Sequence, residues 1–372
     1  MKKQRILQAD EHYTEVDGYL RDQGVSCLLL VCNPWISRLR IGKYLDGLTQ
    51  RLGIRVIPFS DFCPNPQVES VSKGIELLQA EHCDGIAVIG GGSAIDVAKC
   101  IRLYGRQNPA VLDLLQSAPM EELPFLAVPT TAGTGSEATR YAVVYAAGEK
   151  QSITSEQCIP DAVLLDASVL KTLPEYQRHA TMMDAFCHAV EAFWSLNATQ
   201  ESEAYARQAL TRILESMDSY LRNEDQGNTQ MLHAANLAGK AINITQTTAG
   251  HAMCYKLTSL YGIAHGHAAA LCVRKLWPFM LANPERCIDP RGEAYLHDVF
   301  VRLAETMTCH TPEQAAELFG QIVDRLALPV PKAAEADLPI LVYGVNPIRL
   351  KNFPMGMDQD TIALLYRKIL HI

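Results

Sequence analysis

The chain has no apolar run approaching the roughly 20 residues that span a bilayer, so a membrane-embedded class is not expected. Its first twenty residues, MKKQRILQADEHYTEVDGYL, start basic but contain no apolar h-region before charge returns, and are not expected to act as a secretory signal. The eleven cysteines include no CxxC pair. Scattered thiols in odd number imply a reduced, cytoplasmic protein better than a disulfide framework. Positive charge is in deficit, 33 Lys and Arg against 41 Asp and Glu, for a formal net charge of −8. That balance argues against a nucleic-acid or anionic-membrane partner, although a local basic cluster could still attract a small anion. No GxGxxG fingerprint, no Ser–His–Asp or paired-carboxylate arrangement, no internal repeat and no low-complexity tract is present.

What is present is ordinary globular material, 48% apolar and 20% charged over 372 residues, enough for two domains. Up to about residue 171, short continuous apolar runs alternate with helical patterns. The runs are 25–33, 54–59, 85–90, 124–130 and 162–167, and the helices 41–53, 68–81 and 93–105. Uninterrupted apolar strands separated by such helices predict a Rossmann-like parallel sheet covered on both faces. From residue 172 the periodicity is helical almost to the end, with candidates at 177–198, 201–222, 228–247, 251–261, 266–282, 294–308, 312–327 and 359–371. Between the last two, 328–356 carries Pro329, Pro331, Pro339, Pro347 and Pro354 and reads as an irregular connection. The expectation is an α/β dinucleotide-binding domain over 1–171 followed by an all-helical domain over 172–372.

Four segments could carry chemistry. IGGGSAIDVAK (89–99) runs from a strand through three glycines and a serine into a helix. Glycines allow close backbone approach to a phosphate, and helix N-terminal amides point at it. A tight strand-to-helix turn is the alternative reading. PTTAGTGSEATR (129–140) also follows a strand and is dense in hydroxyls that could serve a pyrophosphate or ribose, or form only a polar loop. The two loops fall at C-terminal strand ends of one sheet, where α/β sheets take ligands. In MMDAFCHAVEAF (182–193), Asp184 and His188 are four apart on one helix face, which is ligand spacing for a single metal ion and equally the spacing of a hydrogen-bonded pair. In AGHAMCYKLTSLYGIAHGHAAAL (249–271), His251 and His265 would lie about 21 Å apart along one straight helix. They could share an ion only if the chain turns between them, and Gly262 supplies the break.

GGGSAID (90–96), PTTAGTGSE (129–137), DAFCHAVEAF (184–193) and GHAMCYKLTSLYGIAHGHA (250–268), in this order, resemble the iron-containing (group III) alcohol dehydrogenases of the dehydroquinate synthase-like fold, over about residues 25 to 372. By that resemblance Asp184, His188, His251 and His265 match the family's four metal ligands. Gly91, Gly92, Ser93 and Asp96 match its pyrophosphate turn, and Thr130, Thr131, Thr134, Thr139 and Lys150 its further cofactor contacts. Asn65 matches an asparagine beside the nicotinamide. The resemblance implies Fe(II), with Zn(II) or another divalent ion admissible for such a ligand set, and a homodimer or larger homo-oligomer.

Three departures bear on specificity. Asn33 stands where many relatives carry an acid that would repel a 2′-phosphate, so NADPH is favoured over NADH. Tyr255 replaces a second histidine, leaving Tyr255 or His267 as candidates for a proton relay. The stretch GKAINITQTT (239–248) carries Lys240 where an apolar segment is usual, and Arg140 flanks the TGSE loop. Such charges suit an anionic substrate, and this version of the helical region resembles phosphonoacetaldehyde reductases. The chemistry expected is Lewis-acid polarisation of an aldehyde carbonyl with hydride delivered by NAD(P)H, in a cleft between the domains, yielding 2-hydroxyethylphosphonate. Reduction of an uncharged small aldehyde or diol precursor, glycerol dehydrogenase-like polyol oxidation and an inactive nucleotide-binding protein are the alternatives.

Overall fold

A computed structural model describes residues 4–106, 123–146 and 149–372. The chain forms two compact units: Met1–Thr131, Gly135–Leu173 and Asn223–Leu232 in the first, Ala132–Thr134, Pro174–Arg222 and His233–Ile372 in the second.

The first unit is built on a six-stranded sheet of β1 (Arg5–Gln8), β2 (Cys27–Cys32), β3 (Arg55–Phe59), β4 (Gly85–Gly90), β5 (Phe125–Pro129) and β8 (Ala162–Leu165). Its order is β1-β8-β5-β4-β2-β3, and every pairing is parallel. All residues of β2, β4, β5 and β8 are buried, as the continuous apolar runs predict for a sheet covered on both faces. Helices α1 (Thr14–Asp22), α2 (Arg40–Asp46), α3 (Leu48–Leu52), α4 (Val68–Ala80) and α5 (Gly92–Tyr104) connect the strands. The helix expected over 41–53 is two helices, divided at Gly47. Four further elements carry weak sequence signals. These are α1, the four-residue edge strand β1 with one buried side chain, and an antiparallel pair of β6 (Tyr141–Ala146) and β7 (Glu149–Thr154).

The second unit contains α6 (Glu175–Trp194), α7 (Gln200–Leu221), most of α8 (Asp225–Thr245), α9 (Ala249–Tyr261), α10 (His265–Ala282), α11 (Glu293–Thr306), α12 (Pro312–Arg325), α13 (Leu338–Tyr343), α14 (Pro347–Leu350) and α15 (Gln359–Leu370). The proline-rich connection therefore includes two short helices, each with proline in its first turn, where the missing N–H has no intrahelical partner to lose. Start signals are local: Thr199 and Ser202 form a capping box on α7, and Thr311 accepts from the Gln314 N–H above Pro312 on α12. α6 is almost wholly buried, from Met182 to Trp194, and packs on α7 and α10. Gly262 ends α9 in the left-handed conformation (φ 68°), so the chain does turn between His251 and His265. Among the described residues no helix is long and apolar enough to cross a membrane.

Candidate functional site

β2 and β4 are adjacent, yet the chain leaves β2 toward β3 on one side and reaches β5 beyond β4 on the other. A doubly wound sheet opens a crevice at such a reversal, at its carboxyl edge. Asn33, just past β2, lies there with Phe62, Cys63, Pro64 and Gly91–Ala94 around a cavity of about 150 Å³. Gly90 is obligatory for this turn, because a Cβ would stand 2.4 Å from the Ala94 Cβ. Gly91 is extended, Gly92 opens α5, and Ser93 is half-buried. Thr131 lies over Gly91, and the Thr130 N–H donates to the Gly90 carbonyl at 3.0 Å, so the loops after β4 and β5 are laid side by side. Asn65 is exposed in a left-handed turn (φ 57°), and Thr134 is half-buried.

Asp96, half-buried, lies one turn into α5 from the residues that line that cavity. It accepts from Ser136 Oγ at 2.7 Å and from the Val143 N–H at 3.1 Å. Burial raises its pKa, opposed by the positive charges of Lys99 and Lys150. Lys99 is fully buried, and its ammonium donates to Ser136 Oγ (3.1 Å), Thr139 Oγ1 (3.1 Å) and the Tyr141 carbonyl (2.6 Å). This cation ties α5 to the 136–141 loop; it sits inside the quoted glycine-rich motif, and its fully buried polar setting is visible only in three dimensions. Arg140 pairs with Glu156 at 3.1 Å and lies near the Tyr141 ring, both within the first unit.

In the second unit, Asp184, His188 and His251 come together. Their ligand atoms lie within 4.8 Å of one another, and all three residues are buried. Asp184 Oδ1 is 3.3 Å from His251 Nε2 and 3.9 Å from His188 Nε2, and the two imidazoles stack with centroids 4.5 Å apart. The helical i,i+4 spacing sets the first pair. The third arrives because α9 begins against α6, where Gly250 has no room for a Cβ, with Val273 Cγ2 at 2.6 Å and Glu191 Oε1 at 2.9 Å. His265 opens α10 beside this group, its ring 5.3 Å from that of His251, but it does not join the three atoms within that spacing. Gly266 brings α10 in: a Cβ there would stand 2.0 Å from the Ala180 carbonyl and 2.5 Å from the Asp184 Cβ.

Burial alone would raise the Asp184 pKa, yet the imidazoles of His188, His251 and His265 outweigh it and hold the carboxyl well below the usual range. Burial pushes His188 down to about 4 against the opposing pull of Asp184. His251, flanked by Glu191 and Asp184, is raised to about 9 in spite of its burial. A buried carboxylate and two imidazoles with nitrogens turned toward one oxygen make a donor set suited to a divalent N/O-binding cation such as Fe(II) or Zn(II).

The remaining candidates are distributed around this group. The Tyr255 ring is 5.2 Å from that of His265 and lies under the Arg349 guanidinium, and burial raises its phenol above the ordinary range. His267 is buried, with Nδ1 3.0 Å from the Tyr176 hydroxyl, which also accepts from the Ala264 N–H. Lys240 is half-buried on α8, and its charge, with that of Arg212, adds to burial in lowering the pKa of His233. Glu191, one turn beyond His188, hydrogen-bonds His251 Nδ1. It stands at i+7 from Asp184 on the face that carries the pair, a spacing that could have marked it.

The iron-containing alcohol dehydrogenase model matches residues 3–167, and the model for the C-terminal part of that family matches 178–334. Alcohol dehydrogenase 4 of Schizosaccharomyces pombe is 31% identical over 83% of this chain and 73% of its own length. Phosphonoacetaldehyde reductase of Streptomyces viridochromogenes is 29% identical over 80% of this chain and 79% of its own. In overall structure the chain is similar to a sulfoacetaldehyde reductase from Bifidobacterium kashiwanohense solved with NAD+. The TM-score is 0.87 at 24% identity, covering 100% of this chain and 98% of the other. With both halves of the chain matched and the parallel sheet followed by a helical region, the protein belongs to the iron-containing alcohol dehydrogenase family.

Proposed function

We propose that the protein is a metal-dependent aldehyde reductase that converts phosphonoacetaldehyde to 2-hydroxyethylphosphonate with NADPH. The observation that carries this reading is the buried convergence of Asp184, His188 and His251, with His265 alongside. Asp184, His188, His251 and His265 would hold the ion, which supplies Lewis-acid polarisation of the carbonyl. Asp184 enters this site ionised, because the surrounding imidazoles hold its pKa down. The apolar helices around it exclude water, which strengthens every electrostatic interaction inside. Gly91, Gly92 and Ser93 would take the pyrophosphate at the start of α5, with Thr130, Thr131, Thr134, Thr139 and Lys150 as further cofactor contacts. Asn65 would stand by the nicotinamide, which would supply the hydride.

Asn33 supports NADPH. It lines the cavity beside Gly91–Ala94 and brings no negative charge against a 2′-phosphate. Tyr255, beside His265, is the better placed of the two candidate proton donors. The positive charge of Lys240 supports an anionic substrate, as does the likeness to the phosphonoacetaldehyde reductase of Streptomyces viridochromogenes; Arg140, paired with Glu156, adds no support.

The test is steady-state reduction of phosphonoacetaldehyde and of propanal, each with NADH and NADPH, after reconstitution with iron or zinc. The reading expects kcat/KM at least tenfold higher for the phosphonate and for NADPH. It also expects Lys240→Met to raise KM for the phosphonate alone. Polyol oxidation without aldehyde reduction would refute it, as would full turnover after Asp184→Ala.

A further inference from the structure

We infer that Glu191 is a positioning residue of this centre, holding His251 so that its Nε2 lone pair is presented to the ion; the inference rests on the metal-site reading above. Glu191 is completely buried, and its two oxygens do different work. Oε1 accepts from the Thr248 hydroxyl (2.6 Å), the Gly250 N–H (2.9 Å) and the Thr248 N–H (3.2 Å). It thereby caps α9, whose N-cap residue Thr248 makes no side-chain cap bond of its own. The Thr248 hydroxyl in turn accepts from the Trp194 indole N–H at 3.0 Å, leaving its own hydrogen for Glu191. Oε2 faces His251 Nδ1.

With Nδ1 donating to a carboxylate, the proton of a neutral imidazole is on Nδ1 and the lone pair is on Nε2, the atom 3.3 Å from Asp184 Oδ1. Nothing but a carboxylate of this size serves both ends. Every group around Oε1 is a donor, and the group at Oε2 must also donate, so the site demands two acceptor-only oxygens. A glutamine would place its NH2 against a donor on one side or the other. Turned toward His251, that NH2 would make Nδ1 accept and move the ring proton to Nε2, where the ion would have to be. Gly250 completes the arrangement, since a Cβ at 2.9 Å from Oε1 would displace the carboxylate.

Cobalt(II) titration of the metal-stripped protein, followed by d–d absorption, tests this. Wild type is expected to bind one equivalent. Glu191→Gln should bind about 10- to 100-fold more weakly with an altered spectrum. Nitrogen-15 NMR of the zinc-loaded wild type should show the His251 proton on Nδ1, assigned by its absence in His251→Asn, and this measurement decides if the glutamine variant does not fold. Binding within threefold of wild type with an unchanged spectrum, or an unprotonated Nδ1, would overturn the inference. A wild type that takes up no cobalt would instead remove the metal-site reading beneath it.

Discussion

Gly266→Ala adds one methyl group where α10 meets α6, and its consequences can be worked from the contacts. The new Cβ would stand 2.0 Å from the Ala180 carbonyl oxygen and 2.8 Å from the Asp184 amide nitrogen. Both are backbone atoms that no rotamer change can move. Ordinary contact begins near 3.4 Å, so the two helices must part by roughly 1.4 Å at this point. Overpacking of this kind costs about 1–3 kcal/mol, set against about 1 kcal/mol gained from replacing glycine by alanine within a helix. The net expectation is a loss of up to about 2 kcal/mol, read from urea denaturation of the metal-free protein. The larger effect falls on the site, because metal–ligand distances tolerate only about 0.2 Å and His265 is carried on the displaced helix. Cobalt(II) affinity is therefore expected to fall at least tenfold while the protein remains folded. Wild-type affinity together with wild-type stability would refute the claim that this contact sets the spacing of the centre.

Lys99→Met deprives the half-buried Asp96 of the positive charge that most opposes its desolvation and leaves the acceptors of Ser136, Thr139 and Tyr141 without their donor; it should cost about 1–3 kcal/mol in urea denaturation, with Asp96→Asn restoring part of the loss. Asn33→Asp should move the ratio of kcat/KM for NADPH and NADH at least tenfold toward NADH, since the new charge repels a 2′-phosphate. Asp84, half-buried, accepts from the Ser26 hydroxyl and from the Cys27 and Ser26 amides, and these bonds hold its pKa below the ordinary value against the opposing effect of burial. A depressed carboxylate stabilises the fold above its unfolded pKa of about 3.9, and that contribution is lost as pH falls through the folded value. Asp84→Asn should therefore be about 1 kcal/mol less stable at pH 7, the difference shrinking below pH 4 in acid titrations followed by circular dichroism.

The parts of the fold that were readable have strong local causes. Continuous apolar runs announced β2 to β5 and β8, and periodic stretches announced α6 to α12 and α15, because burial on one or both faces imposes its own spacing. Elements with little to bury stayed out of sight: β1 offers only Leu7 to the core, and the β6–β7 pair exposes much of its surface. The split at Gly47 was missed because glycine interrupts a helix without altering the apolar period around it.

By itself, the sequence determined the class of architecture, the glycine-rich turn at a strand end and the Asp184–His188 pair, since all three depend on spacing within one element. The closure of α9 at Gly262 was also local, a matter of glycine's freedom at positive φ. The meeting of His251 with that pair, the two-ended clasp of Glu191 and the burial of Lys99 against Ser136 and Thr139 were decided only by tertiary structure. Their partners lie 37 to 67 residues away in the chain, and their geometry depends on how closely helices can approach. That distance is set by missing side chains at Gly250 and Gly266, which no periodicity can report.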